Sequence, residues 1–254
     1  MKTFTHLFLS VCAVAALAGC SGKDGDPGPA GATGPAGPSL TGNLFGFVSP
    51  VDEFGNSIAR NGVTVALEGV TPATTVTTNA DGRYEFAGLR TGTYNLSFSR
   101  TGITTFRRLG VAHVGGDQPT FLGTNTISAA STTAVGPMSL SSLTTTAVSF
   151  SVPFSNTNAP SGTFLRYAIF ASASPGVNAT NGVLLVNSSA SISPSNINIS
   201  KATLNTAGFA SGTPVYVVAY GVPQFWLSYP DPANGRPVYL GLGTPSNQVA
   251  FIAP

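Results

Sequence analysis

The chain has 254 residues, only 8% of them Asp, Glu, Lys or Arg, and its eleven basic side chains nearly cancel nine acidic ones for a net charge of +2. Charge this sparse excludes a basic nucleic-acid binder, because neutralising many phosphates needs clustered Lys and Arg. With 42% hydrophobic residues, 30 Gly, 19 Pro, two Cys and two His, the composition excludes a wholly disordered chain and a disulfide scaffold, argues against an enzyme, and fits short strands joined by many turns.

Residues 1–20 read in three parts. Lys2 gives a positive start, residues 7–17 form an apolar run broken by Ser10 and Cys12, and Leu17-Ala18-Gly19-Cys20 closes it. The run is too short for a hydrocarbon core of about 30 Å, which needs roughly 20 residues, and reads as the middle of a secretory signal peptide. The closing tetrapeptide resembles the lipobox of bacterial lipoproteins. That resemblance implies cleavage after Gly19, a diacylglycerol thioether on Cys20 and acylation of the new amino group. Each buried CH2 contributes about 0.8 kcal/mol, so two or three acyl chains hold firmly where one binds reversibly. Cys12 leaves with residues 1–19, so the mature chain has no cysteine pair and depends on packing.

Ser21 stands where an Asp would imply retention at the inner membrane in Gram-negative sorting; its identity implies an outer-membrane destination. Lys23, Asp24 and Asp26 resemble the short charged signals that send some Bacteroidetes lipoproteins to the cell surface, although Gly22 and Gly25 interrupt them. The bland alternative is a few solvated charges.

From Gly22 to Gly37 glycine holds every third position through six triplets, with Pro27, Pro29, Pro35 and Pro38 in the other slots. This is the collagen-like G-X-Y period, which exists because only glycine fits at the axis of three polyproline-II chains. Six triplets span roughly 55 Å at about 3.1 Å per residue. The segment 20–40 is either a trimerising stalk or a semi-rigid spacer. Ordering one residue's backbone costs about 1–2 kcal/mol, and so few triplets offset that cost poorly, which favours a spacer and a monomeric chain over a homotrimer.

Beyond residue 40 the text changes to strands and turns. Leu44, Phe45, Phe47 and Val48 predict a strand. Val63, Val65 and Leu67 alternate with polar or small residues and predict one buried face, and 74–78 is a β-branched run. Asn79-Ala80-Asp81-Gly82 predicts a turn with Gly82 at positive φ. Tyr84 and Phe86, then Tyr94, Leu96 and Phe98, alternate with polar partners, and strands near 104–114 and 120–127 follow. Spacing of about ten residues per strand predicts a β-sandwich over 41–128.

The residues Gly46-Phe47-Val48, 52–55, Gly62-Val63-Thr64-Val65 and especially Asp81-Gly82-Arg83-Tyr84-Glu85-Phe86 with Leu89, Gly92, Tyr94 and Leu96 resemble the carboxypeptidase regulatory-like domain, a prealbumin-like sandwich. The resemblance implies a non-catalytic accessory module of secreted and surface proteins. It implies no peptidase activity, and the His and Glu cluster of a metallopeptidase has no counterpart.

Residues 129–254 also alternate. Strands are predicted at 147–152, 164–170, 183–186, 202–204, 215–220 and 247–252. The run from Ala210 to Tyr220 and Pro245-Ser246-Asn247-Gln248-Val249 resemble late strands of the fibronectin type III and immunoglobulin-like sandwiches. The early core tryptophan of that family is missing, and 155–161 and 223–237 are long for it. The fold class is therefore all-β, two β-sandwiches in tandem after a signal peptide and a tether.

His113 is the histidine left after signal removal. It lies before Gly115-Gly116 in a predicted hairpin and reads as a solvated turn residue; no Gly-x-Ser-x-Gly elbow accompanies it, and no triad, carboxylate pair or metal-ligand spacing is visible. No catalytic residue, metal or cofactor is predicted. Phe225, Trp226, Tyr229 and Tyr239 are the candidate ligand-binding residues, since flat rings with polar edges suit sugars and protein partners. The alternative is that these rings fold back and cap the open end of the sandwich. The sequence points to a non-catalytic, membrane-anchored outer-membrane or cell-surface protein with a structural or adhesive role and a surface-protein partner. The second reading is a glycan- or polymer-binding lipoprotein using the loop around Trp226.

Overall fold

Alternation of apolar and polar side chains produces strands with one wet and one dry face, and most of the longer strands among the described residues follow that rule. The computed structural model describes residues 40–191 and 194–254. The predicted signal segment, Cys20 and the G-X-Y repeat lie outside the described residues.

The first sandwich comprises β1 (Thr41–Val51), β2 (Thr64–Glu68), β3 (Thr74–Thr77), β4 (Arg83–Arg90), β5 (Gly92–Arg100), β6 (Ile103–His113) and β7 (Thr120–Ser128). One sheet has the order β4-β1-β7 and the other β3-β2-β5-β6. β1 runs antiparallel to β4 and parallel to β7. Leu44 and Val48 of β1, Val65 and Leu67 of β2, Tyr84 and Phe86 of β4, and Leu96 and Phe98 of β5 meet in a single core. Burying each large apolar side chain contributes about 1.5–3 kcal/mol. Two glycines shape this core. Gly82 takes φ of +81° in the turn into β4, and an added Cβ would lie 2.3 Å from the Val48 carbonyl oxygen. Gly46 leaves room for Tyr84, whose hydroxyl oxygen would lie 2.7 Å from a Cβ there. Burial pushes the Tyr84 phenol up to about 12, so it is neutral at physiological pH.

The second sandwich comprises β8 (Ala134–Val135), β9 (Ser139–Leu143), β10 (Ala147–Ser155), β11 (Leu165–Ser172), β12 (Val183–Ala190), β13 (Pro194–Ser200), α1 (Lys201–Thr206), β14 (Pro214–Val222), β15 (Ser228–Pro230), β16 (Pro237–Tyr239) and β17 (Val249–Ile252). The sheet β13-β10-β8, with β9 also on β10, faces the sheet β12-β11-β14-β17. Val148, Phe150, Val152 and Phe154 alternate inward from β10 and meet Ile169, Val215, Val217 and Phe251. Phe150 and Phe251 pack edge to face at 5.6 Å.

β11 and β14 depart from alternation. Most of their residues are buried, because Phe170, Val218, Tyr220 and Val222 point away from the main core into a second cluster. Strands buried on both faces read as continuous apolar runs, as Val215-Tyr216-Val217-Val218-Ala219-Tyr220 does.

The predicted strand at 202–204 is a helix instead. Ser200 caps α1 by accepting from the Thr203 backbone N–H at 3.1 Å, and Leu204 is fully buried. A serine N-cap satisfies a backbone donor that a strand would leave to its neighbour. The strand before it, β13, pairs with β10 from Ala147–Ser200 through Pro153–Pro194.

Candidate functional site

The second cluster has a lid. Residues 223–242 cross the outer face of β11 and β14 and include the β15–β16 hairpin, in which Ser228 pairs with Tyr239 and Pro230 with Pro237. Asn234-Gly235 turns the hairpin, with Gly235 at φ of +72°. Asp231 organises the tip: its carboxylate accepts from the Ala233 N–H at 2.9 Å and the Asn234 side-chain amide at 3.0 Å, while its own N–H donates to the Arg236 carbonyl at 2.7 Å.

The structure brings two of the four aromatic candidates together. Trp226 and Tyr239 stack with centroids 5.0 Å apart and planes 20° apart, and both meet Phe170 edge-on at 6.4 and 5.1 Å. These two rings cover the outer sheet face. The Trp226 indole N–H is buried without a hydrogen-bond partner; such a donor costs about 1–3 kcal/mol, which the apolar area of the ring offsets. Tyr229 and Phe225 go elsewhere. Tyr229 lies under the Arg107 guanidinium at 5.7 Å, itself bonded through Nε to Glu68 at 2.7 Å. Phe225, 49% exposed, sits over Gly55, where an added Cβ would be 3.0 Å from its ring.

Beside Tyr239 a cleft of about 310 Å3 opens between the hairpin and the 178–181 loop. Its polar lining is Thr180, Asn181, Asp231, Asn234 and Arg236, and Tyr239 and Leu242 are part of its apolar wall. Arg236 donates to the Asn181 carbonyl at 3.3 Å. Asn178 holds the opposite wall by accepting from the Thr180 and Asn181 N–H groups at 2.8 and 3.1 Å. Tyr220, whose phenol is raised by burial, also meets the Ala179 backbone. Asp231, Arg236 and Asn181 were not singled out by sequence reasoning. The available signal was Asn234-Gly235 between two short runs, hidden by prolines at both strand ends.

A second polar site joins the two sandwiches. Asp52 accepts from the Phe54 and Asn56 N–H groups, each at 2.9 Å, and this turn turns Glu53 toward the second sandwich. Glu53 is 9% exposed. Its carboxylate accepts from the Thr132 N–H at 2.6 Å, from the Thr132 hydroxyl, and from the Asn156 amide at 3.3 Å. That amide also reaches the Thr132 and Thr133 hydroxyls, both at 3.2 Å. The Glu53 carbonyl accepts from the Gln224 N–H at 2.8 Å, and Phe54 packs against the core of the second sandwich. A buried carboxylate is tolerated because donors surround it.

His113 is not a solvated turn residue. It ends β6 and is 2% exposed, with Nδ1 2.8 Å from the Thr120 hydroxyl and Nε2 3.0 Å from the Leu89 carbonyl oxygen. The ring ties the ends of β6, β7 and β4 together, and both nitrogens are used. Among the described residues no group of three or more His, Cys, Asp or Glu is placed to hold a metal, and no helix is long and apolar enough to cross a membrane.

Residues 44–128 match the carboxypeptidase regulatory-like domain family, about a third of the chain. No curated protein matches the chain. Similar solved structures include the type II cohesin–X-dockerin complex of Acetivibrio cellulolyticus, at 18% identity over 35% of this chain and 58% of that one, with a TM-score of 0.30. A provisionally assigned carbohydrate-binding protein of Bacteroides uniformis aligns at 12% identity over 84% of this chain and 99% of that one, TM-score 0.32. The FN1–FN3 domains of chicken CNTN1 align at 15% identity over 85% and 66%, TM-score 0.30. The chain thus spans 58% of the cohesin–dockerin relative's length. These likenesses concern the β-sandwich fold alone. The carboxypeptidase regulatory-like domain matched over residues 44–128 is a non-catalytic fold.

Proposed function

We propose that this chain is a non-catalytic, lipid-anchored protein of the outer membrane or cell surface with a structural or adhesive role. In this reading acyl chains on Cys20 hold it in the bilayer, residues 20–40 lift it away, and the sandwiches of 41–128 and 129–254 are displayed as a monomer toward a glycan or a surface-protein partner.

The observation that carries the reading is the Glu53 junction. Modules joined by a bare linker move independently by default. Here the Asp52 turn inserts Glu53 and Phe54 into the neighbouring sandwich, and the 131–133 segment is bonded on both sides, with the Ser131 N–H donating to the Gly241 carbonyl at 2.9 Å. A fixed joint transmits force and holds a surface at a set distance from the membrane, which suits display more than chemistry. The Leu17-Ala18-Gly19-Cys20 run supports the anchor.

Deleting the gene should lower attachment of whole cells to a host-cell or polysaccharide-coated surface, and the wild-type gene should restore it. Unchanged attachment on every surface, with growth lost instead on one nutrient, would replace the adhesive role with a different one.

A further inference from the structure

The cleft beside Tyr239 has features that the display role does not need. Its two charged side chains have opposite signs, and neither joins an ion pair; among the described residues the ion pairs are Arg83–Glu85 and Arg107–Glu68. Asp231 has about four lone-pair sites, of which the hairpin uses two. Arg236 has five side-chain donors, one of them on Asn181. The remaining capacity faces solvent at the rim of a cleft with one rigid aromatic wall.

We propose that the cleft between the 178–181 loop and the β15–β16 hairpin binds a neutral sugar residue, with Asp231, Arg236 and Asn181 bonding its hydroxyls and Tyr239 forming the apolar wall. A pyranose ring presents hydroxyls that both donate and accept, and a C–H face that is apolar. Asp231 accepts from such hydroxyls and Arg236 donates to them; the Asn181 amide, whose Oδ1 accepts from the Asn178 N–H at 2.8 Å and whose Nδ2 donates to the Gly176 carbonyl at 3.1 Å, keeps one lone pair and one N–H for them. The lone carboxylate and the lone guanidinium cancel, so the cleft favours an uncharged ligand. An anionic one would meet Asp231, and an aliphatic one would strip water from both charges without replacing it. The volume of about 310 Å3 lies at the lower end of the roughly 300–1,000 Å3 usual for small-molecule sites, which fits one or two sugar units.

The site is also preformed. Tyr239 cannot swing, because Trp226 stacks on it and Phe170 abuts both rings. The hairpin tip is tied by the Gly235 N–H to the Asp231 carbonyl at 2.7 Å and by the Arg236 N–H to the Asn234 amide oxygen at 2.8 Å. Groups already fixed lose little entropy when a ligand arrives. The seat for the sugar is thus the edge of the aromatic stack, with three polar side chains, and not the exposed Phe225.

This inference rests on the adhesive reading only for its setting. Sugar binding needs no lipid, so it can fail while anchoring and attachment stand, or hold while they fail. The test uses the full chain in detergent with methyl glycosides of glucose, galactose, mannose and xylose, and methyl glucuronide as the charged probe. Trp226 is the one tryptophan of the sequence and stacks on the wall of the cleft, so its emission reports on occupancy; saturation-transfer NMR detects any binding that leaves emission unchanged. At least one neutral glycoside should bind with a Kd of about 1 mM or tighter, and Asp231→Asn and Arg236→Gln should each weaken it about tenfold. Arg236→Lys, which keeps the charge and removes the guanidinium fork, serves if either variant unfolds, as thermal melting would show. No binding of any neutral glycoside, binding of the glucuronide alone, or equal binding by the folded variants would overturn the proposal.

Discussion

Replacing Phe170 by alanine should destabilise the chain by about 3–5 kcal/mol, the usual cost of emptying a buried aromatic site. Phe170 is fully buried in a strand that is dry on both faces. Its ring meets Tyr220 at 5.7 Å, Tyr239 at 5.1 Å and Trp226 at 6.4 Å. Aromatic pairs of this kind add about 0.5–1.5 kcal/mol beyond area burial, and the cavity would open under the lid rather than in the main core. Urea unfolding followed by Trp226 emission would show both the loss and a red shift in the folded baseline. A cost below about 1 kcal/mol, with the baseline unmoved, would mean that the lid does not depend on this ring.

Glu53→Ala should cost about 3 kcal/mol, because it leaves the Thr132 N–H, the Thr132 hydroxyl and the Asn156 amide without their shared acceptor in a buried setting. Unsatisfied buried groups cost about 1–3 kcal/mol each. Glu53→Gln keeps the shape and one acceptor, so its cost should be roughly half. The loss should concentrate at the joint. Limited proteolysis of Glu53→Ala should cut within 128–133 faster than in the wild-type chain, while each sandwich survives as a fragment. Identical cleavage rates and unchanged stability would show that the sandwiches are held together by something other than this network.

Much of the fold was legible in the sequence, because period-2 alternation is written one side chain at a time. Val148, Phe150 and Val152, like Tyr84 and Phe86, announce the buried face directly, and Asn79-Ala80-Asp81-Gly82 announces its turn. The misreadings came where another rule competed. Ala202 to Leu204 is too short to show a helical period, and the Ser200 cap that decides it lies outside the apolar residues. Ile197 and Ile199 alternate with Asn196 and Asn198, but two apolar positions are a thin strand signal. His113 lies two residues before a pair of glycines, which suggests a turn, yet its ring is buried because the Thr120 hydroxyl, seven residues on, and the Leu89 carbonyl, twenty-four residues back, receive it. The same non-locality hides the sites. Nothing near Glu53 says that Thr132 and Asn156 will surround it, and the cleft needs loop 178–181 and residues 231–236 to meet. Trp226 and Tyr239 could be named as a ring cluster, but which face they cover depends on Phe170, more than fifty residues away in the chain.

The anchor is the premise on which the display role stands, and Cys20 is the atom-level form of it. Growing cells with a radiolabelled or alkyne-tagged fatty acid, then recovering the wild-type chain and Cys20→Ser from separated membrane and soluble fractions, tests it in one measurement. The account predicts label on a wild-type chain in the outer-membrane fraction, and an unlabelled variant lost from it. Equal labelling of both chains, or a wild-type chain that is unlabelled and soluble, would contradict it.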